Sequence, residues 1–105
     1  MGIILRIIQQ FDPGYEKEFM TLEKKFDQLE KNQPAFPKVK RMQPVSASEP
    51  VNTLIWQCEF PDIETAYKTL DFFKGNENHE ILFRQQVPFI KQIKIEFYKS
   101  LDFEG

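Results

Sequence analysis

The sequence predicts an α+β fold of βαββαβ order, with a four-stranded antiparallel sheet and its helices on one face. Three observations predict it. The hydrophobic period switches between that of a strand and that of a helix in the order strand, helix, strand, twice in succession. Asp12-Pro13, Pro61-Asp62 and Pro88 stand where the period changes. The chain of 105 residues fits one domain, residues 1–105, of a size that buries a core.

The first strand, Ile3 to Phe11, has apolar odd positions (Ile3, Leu5, Ile7, Phe11) and mixed even positions (Ile4, Arg6, Ile8, Gln10). A strand with one wet face is polar there, so Ile4 and Ile8 predict a second face that is partly covered. Asp12-Pro13 starts a helix, Asp as N-cap and Pro as its first residue. Tyr15, Phe19, Leu22, Phe26 and Leu29 recur at steps of four and three and form its apolar stripe, while Glu16, Lys17, Glu23, Lys24 and Glu30 lie largely off it. Asn32 to Pro37 contains two prolines and reads as a loop. Lys38 to Val45 is the second strand; its Lys38-Val39-Lys40-Arg41 run is the longest basic cluster and alternates as a strand does. Pro44 and the Ser46 to Pro50 stretch end it. In the third strand, Thr53 to Phe60, Leu54, Trp56, Cys58 and Phe60 share one face. These two strands make a hairpin. The second helix opens at Pro61-Asp62 and carries Ile63, Ala66, Tyr67, Leu70 and Phe73 on its stripe. Gly75 interrupts it, and a short further helix runs from about His79 to Val87, stopped by Pro88. Ile90 to Leu101 is the fourth strand, with Ile93, Ile95, Phe97 and Leu101 alternating with polar neighbours.

Composition narrows the function classes. Hydrophobic residues are 41% and charged residues 29%, which is globular rather than disordered. A net charge of −2, from 14 basic and 16 acidic residues, argues against a general nucleic-acid binder. A single cysteine, Cys58, excludes an internal disulfide and a cysteine-rich zinc site, and a single histidine, His79, argues against a dedicated metal site. Ile3 to Ile8 is too short to span a membrane and has no basic leader, so a cytoplasmic protein is expected. Glycines stand only at positions 2, 14, 75 and 105, which leaves no glycine-rich phosphate cradle; no metal or cofactor is expected. Phe supplies 11 of the 15 aromatic residues and needs dry surroundings. A Phe-rich core with an oligomer interface meets that need, as does a pocket for an apolar or amphipathic ligand.

The helices cover one face of the sheet. The other carries Ile4, Arg6, Ile8, Gln10, Ile55, Gln57, Glu59, Lys94, Glu96 and Tyr98, neither clearly wet nor clearly dry. A second copy pressed against this face would cover the isoleucines and pair Arg6 or Lys94 with Glu59 or Glu96. A homodimer through the sheet face is expected, a twofold being the simplest closed arrangement.

Ala66 and Leu70 on the second helix, Asn78-His79-Glu80 opening the short helix, Pro88, and the strand Ile93-Lys94-Ile95-Glu96-Phe97-Tyr98 carry a resemblance. With the order of elements and the length, they resemble the dimeric α/β-barrel superfamily of ferredoxin-like fold, which includes antibiotic-biosynthesis monooxygenase-like, NIPSNAP-like and stress-responsive barrel proteins. The resemblance implies a substrate cleft between the sheet and helices of each subunit. It also implies, for some members, oxidation of polycyclic aromatics without metal or flavin, with Trp, Asn, Tyr, His or Arg side chains polarising the substrate. Trp56, Tyr67, Asn78, His79 and Arg84 are residues of those types here.

The first reading is therefore a ligand-binding dimer. Phe19, Phe26, Trp56, Tyr67, Phe73 and Phe83 line a cleft for a small apolar or amphipathic ligand, and His79 or Arg84 meets its polar head. The second is a cofactor-independent monooxygenase or isomerase acting on a small aromatic or lipid-like substrate, with His79 as base or hydrogen-bond donor. The third is a structural dimer module, with His79 a surface residue at a helix start and the interior filled. A core at native density leaves no room for a ligand, so a cavity separates the third reading from the others.

Overall fold

The structure, a computed structural model, describes residues 2–33, 36 and 39–103. Strand β1 is Ile3–Phe11. A 3-10 turn, Pro13–Tyr15, leads into helix α1, Glu16–Lys31. Strands β2 (Val39–Met42) and β3 (Thr53–Phe60) follow, then helices α2 (Ile63–Gly75) and α3 (Glu77–Gln86). A second 3-10 turn, Val87–Phe89, leads into β4, Ile90–Lys99. The strands make one antiparallel sheet in the order β2-β3-β1-β4, the ferredoxin-like arrangement expected from the sequence.

Several boundaries differ from expectation for local reasons. Asp12 caps the 3-10 turn rather than α1 itself, its Oδ1 accepting from the Gly14 N–H at 2.9 Å. β2 stops at Met42, ahead of Pro44, which has no N–H to offer a ladder. β4 ends at Lys99, where its partner β1 runs out at Ile3; Leu101 lies beyond, exposed. α2 runs through Gly75, and Asn76 makes the break. Its backbone leaves the helical region, and its Oδ1 accepts from the His79 N–H at 2.9 Å. One asparagine thus ends α2, caps α3 and places His79 at the third position of the new helix. The loop expected over Asn32 to Pro37 falls largely outside the described residues, as does Lys38.

The helix-facing side of β1 organises the interior. Leu5 belongs to one core cluster with Phe36, Trp56, Cys58, Phe60 and Ala66. Phe11 belongs to a second with Phe19 and Leu54. Ile7 and Gln9, between them, are only half-buried. On the opposite face, one of the isoleucines expected to await a second copy is already covered within the chain: Ile8 is 7% exposed. The segment joining β2 to β3 reaches this face, its Glu49 pairing at 3.1 Å with Lys94, the β4 partner of Ile8. Within the chain Arg6 donates to Gln57 Oε1 at 2.7 Å and lies over the Tyr98 ring. Glu96 accepts from the Tyr98 hydroxyl at 2.6 Å. Among the described residues no helix is long and apolar enough to cross a membrane.

Candidate functional site

Between the two core clusters the sheet and helices part and leave a cavity of about 410 Å³. Strand register gives its floor a direction. Arg41 on β2 pairs with Trp56 on β3, Trp56 with Ile7 on β1, and Ile7 with Ile95 on β4. This single row runs from a charged end to an apolar end. Gln9 and Ile93 form the next row. The roof is Glu23, Phe26 and Glu30 of α1, Leu70, Phe73 and Lys74 of α2, and His79, Glu80, Phe83 and Gln86 of α3. The β4 side is the mouth, where Ile93 and Ile95 are 41% and 52% exposed.

The inner end is a buried polar network. Each Arg41 guanidinium nitrogen donates to a carboxylate: Nε to Glu23 Oε2 at 2.7 Å, Nη1 to Asp27 Oδ1 at 3.1 Å and Nη2 to Glu30 Oε1 at 2.9 Å. The Trp56 Nε1–H donates to the same Glu30 oxygen at 3.0 Å. The Gln86 Nε2 donates to Glu23 Oε1 at 2.8 Å, and its side chain is almost wholly buried. Burial opposes the Arg41 charge, but Glu23 and Glu30 outweigh it and hold the guanidinium above its ordinary pKa. Glu30 moves the other way in stability terms. Burial pushes its pKa above the ordinary value, and the attraction of Arg41 and the Trp56 hydrogen bond only partly offset it. One cation is shared among three acids, so the cation is oversupplied with partners and the acid undersupplied.

The aromatic part of the roof centres on Phe73. Its ring stacks on His79 with centroids 4.4 Å apart and on Phe36 at 5.3 Å, and meets Trp56 edge-on at 5.7 Å. Phe26 also packs against His79, tilted, with centroids 4.9 Å apart. Burial among these rings lowers the His79 pKa to about 4, against the opposing pull of the Phe73 carbonyl and Glu80. His79 is therefore a neutral imidazole in the cavity wall at neutral pH, not a surface residue.

Of the residues singled out in the sequence, Phe26, Trp56, Phe73, His79 and Phe83 line the cavity. Three expected there do not. Phe19 lies one turn along α1, stacked on Phe11 at 4.7 Å within the second core cluster. Tyr67 is 52% exposed on the outer side of α2, its ring against Phe97, because the buried line of that helix runs through Ala66 and Thr69. Arg84 points to solvent and pairs with Glu80 one turn back. Asn78 is exposed as well. The largest departure concerns Glu23 and Glu30. Expected off the apolar stripe, they are buried with Phe19 and Phe26 along one line of α1. Gln9, Arg41 and Gln86 also enter the site without having been singled out. The cue was present in the spacing: Phe19, Glu23, Phe26 and Glu30 follow steps of four, three and four, and Arg41 shares a strand face with Val39. Among the described residues no group of three or more His, Cys, Asp or Glu side chains is arranged to hold a metal ion.

No family model matches this sequence, and no curated protein matches it. Solved structures do. A NIPSNAP family protein from Agrobacterium tumefaciens is 12% identical and superposes with a TM-score of 0.79 over 98% of this chain and 96% of its own. A NIPSNAP-like domain protein from Burkholderia xenovorans, also 12% identical, gives 0.78 over 99% and 89%. A cofactor-independent oxygenase from Streptomyces nogalater, 9% identical, gives 0.70 over 97% and 95%. A putative antibiotic biosynthesis monooxygenase from Deinococcus radiodurans has the same fold. These are the groups the sequence pattern resembles, and at such identities the shared property is the fold.

Proposed function

We propose that this chain binds a small apolar or amphipathic molecule between its sheet and helices. The observation that carries this reading is the cavity itself. Its volume of about 410 Å³ falls in the range of ligand sites, roughly 300–1,000 Å³. Protein interiors otherwise leave few voids larger than a water molecule, so a module with a filled core does not account for it. The apolar end suits a hydrocarbon or aromatic body and the inner end a polar group.

Trp56 makes the test direct, because it is the only tryptophan of the chain and lines the cavity. Titration with 1-octanol is expected to change Trp56 emission saturably. Ile7→Phe, which fills the middle of the floor, is expected to abolish the response while the protein stays folded. Linear, non-saturating changes in both proteins would mean that the space is not a binding site.

A cofactor-independent monooxygenase or isomerase acting on a small aromatic or lipid-like substrate is the second reading, supported by the names of two structures of like fold. It would use His79 as base. An imidazole with a pKa near 4 is a poor match for proton abstraction at neutral pH, where the best base titrates near the working pH. Binding is the better supported role.

We also infer that two copies join through the face away from the helices. Ile4 and Ile55 are only half-buried there and Tyr98 is exposed. Sedimentation at micromolar concentration is expected to give the mass of a dimer; a monomer would remove this step.

A further inference from the structure

We propose that the ligand carries a hydrogen-bond donor at its inner end, a protonated amine on an apolar body, and is not a carboxylate or phosphate. This rests on the cavity reading above and adds the chemical class. An arginine at the bottom of a pocket ordinarily invites an anion. Here every guanidinium nitrogen of Arg41 already donates to an acid of α1. The other donors of the inner wall are committed too: the Trp56 Nε1–H to Glu30 and the Gln86 Nε2 to Glu23 and the Phe19 carbonyl. One buried acceptor of the wall is left over. The Gln9 Oε1 is buried, belongs to a residue lining the cavity and has no hydrogen-bond partner. A buried acceptor without a partner is a cost that a donor on the ligand removes.

Charge agrees with the hydrogen-bond inventory. Glu23 and Glu30 are buried against the single cation Arg41, a surplus of one negative charge. Asp27, less buried, is shared with Lys31 at 3.0 Å. At the roof Glu80 is paired with Arg84, Lys74 is exposed to solvent, and His79 is neutral. A cationic head therefore completes the balance, whereas an anionic head would add a further negative charge beside Glu23 and Glu30. The rings of Phe26, Phe73 and Phe83 along the way suit the chain behind the amine.

The test compares 1-aminooctane, 1-octanol and octanoate at neutral pH by Trp56 emission, all three having the same chain. The amine is expected to bind about tenfold to a hundredfold more tightly than octanoate, the advantage of a charge-assisted hydrogen bond over an unpaired anion, with octanol between them. Glu30→Gln keeps an acceptor for Trp56 Nε1 but removes the charge, and is expected to bring the amine to within a few-fold of octanol. Gln9→Leu is expected to weaken amine and alcohol alike. Octanoate binding as tightly as the amine, or an amine preference unchanged in folded Glu30→Gln, would overturn the proposal. If the three bind equally, the cavity reading stands and this assignment fails. If none alters Trp56 emission, both fail.

Discussion

Replacing Arg41 with Met is expected to destabilise the fold by about 3–5 kcal/mol, the usual cost of removing one partner of a buried ion pair. In a domain of this size that lowers the midpoint of thermal unfolding by more than about 12 °C. The reason is not the loss of three favourable contacts but what they leave behind. Glu23 and Glu30 are 5% and 4% exposed, and without the guanidinium both remain buried as unpaired charges. Gln at positions 23 and 30 retains acceptors for Gln86 and Trp56 and removes the charge. The triple variant Arg41→Met, Glu23→Gln, Glu30→Gln is therefore expected to recover most of the loss, a non-additivity that marks a coupled network. The deficit of Arg41→Met is also expected to shrink in acid. The Glu30 pKa, raised already by burial, rises further without Arg41, and a raised carboxyl contributes stability at low pH that is lost as pH climbs through its folded value. A loss below about 1 kcal/mol in Arg41→Met would place these acids in solvent and contradict the network.

The second large effect is expected at Phe73. Truncation to Ala removes the ring that Phe36, Trp56 and His79 share and is expected to cost about 3–5 kcal/mol. Its signature is in the titration of His79. In the native protein this imidazole titrates near 4 because burial disfavours its charged form, while the unfolded chain takes up the proton near 6.5. The unfolded state therefore binds more protons between these values. Stability conferred by the neutral imidazole is complete above the upper value and is lost as pH falls towards the lower one. Allowing for the partial exposure of the ring, that loss is about 1–2 kcal/mol. Phe73→Ala admits water to one face of the ring. The His79 pKa is expected to move up towards 6.5, and the slope of stability between pH 4 and 6.5 to flatten, measured by proton NMR of the imidazole and by denaturant unfolding at several pH values. An imidazole that still titrates near 4 in the folded variant would mean that Phe26 alone keeps it dry.

The fold is legible in the sequence because alternation and helical spacing report burial, and burial here follows apolar side chains for most of the chain. Leu54, Trp56, Cys58 and Phe60 alternate on β3 and are all buried; Pro61-Asp62 and Pro88 stand where the elements change. The aromatic roof follows for the same reason, since Phe26 and Phe73 sit on the inner lines of their helices. The polar end does not. An ionised glutamate is rarely buried without a partner, so spacing alone reads Glu23 and Glu30 as solvent-facing. Their partner comes from a strand, eleven or more residues along the chain, and is recognisable only once Arg41 is known to lie beside Trp56. That pairing depends on hairpin register, which a ten-residue connection, 43–52, leaves open. Tyr67 shows the converse: an aromatic near an apolar stripe reads as inward, yet a step of one residue from Ala66 carries it to the outer side of α2.

The central claim, that molecules enter between the sheet and helices and lie along the row Arg41, Trp56, Ile7 and Ile95, is tested most directly by methyl NMR. With isoleucine and leucine methyls labelled, addition of 1-octanol is expected to shift Ile7, Leu70, Ile93 and Ile95 together and saturably, while Ile4 and Ile55 on the opposite face stay in place. Shifts confined to Ile4 and Ile55, or none at all at concentrations that saturate Trp56 emission, would contradict it.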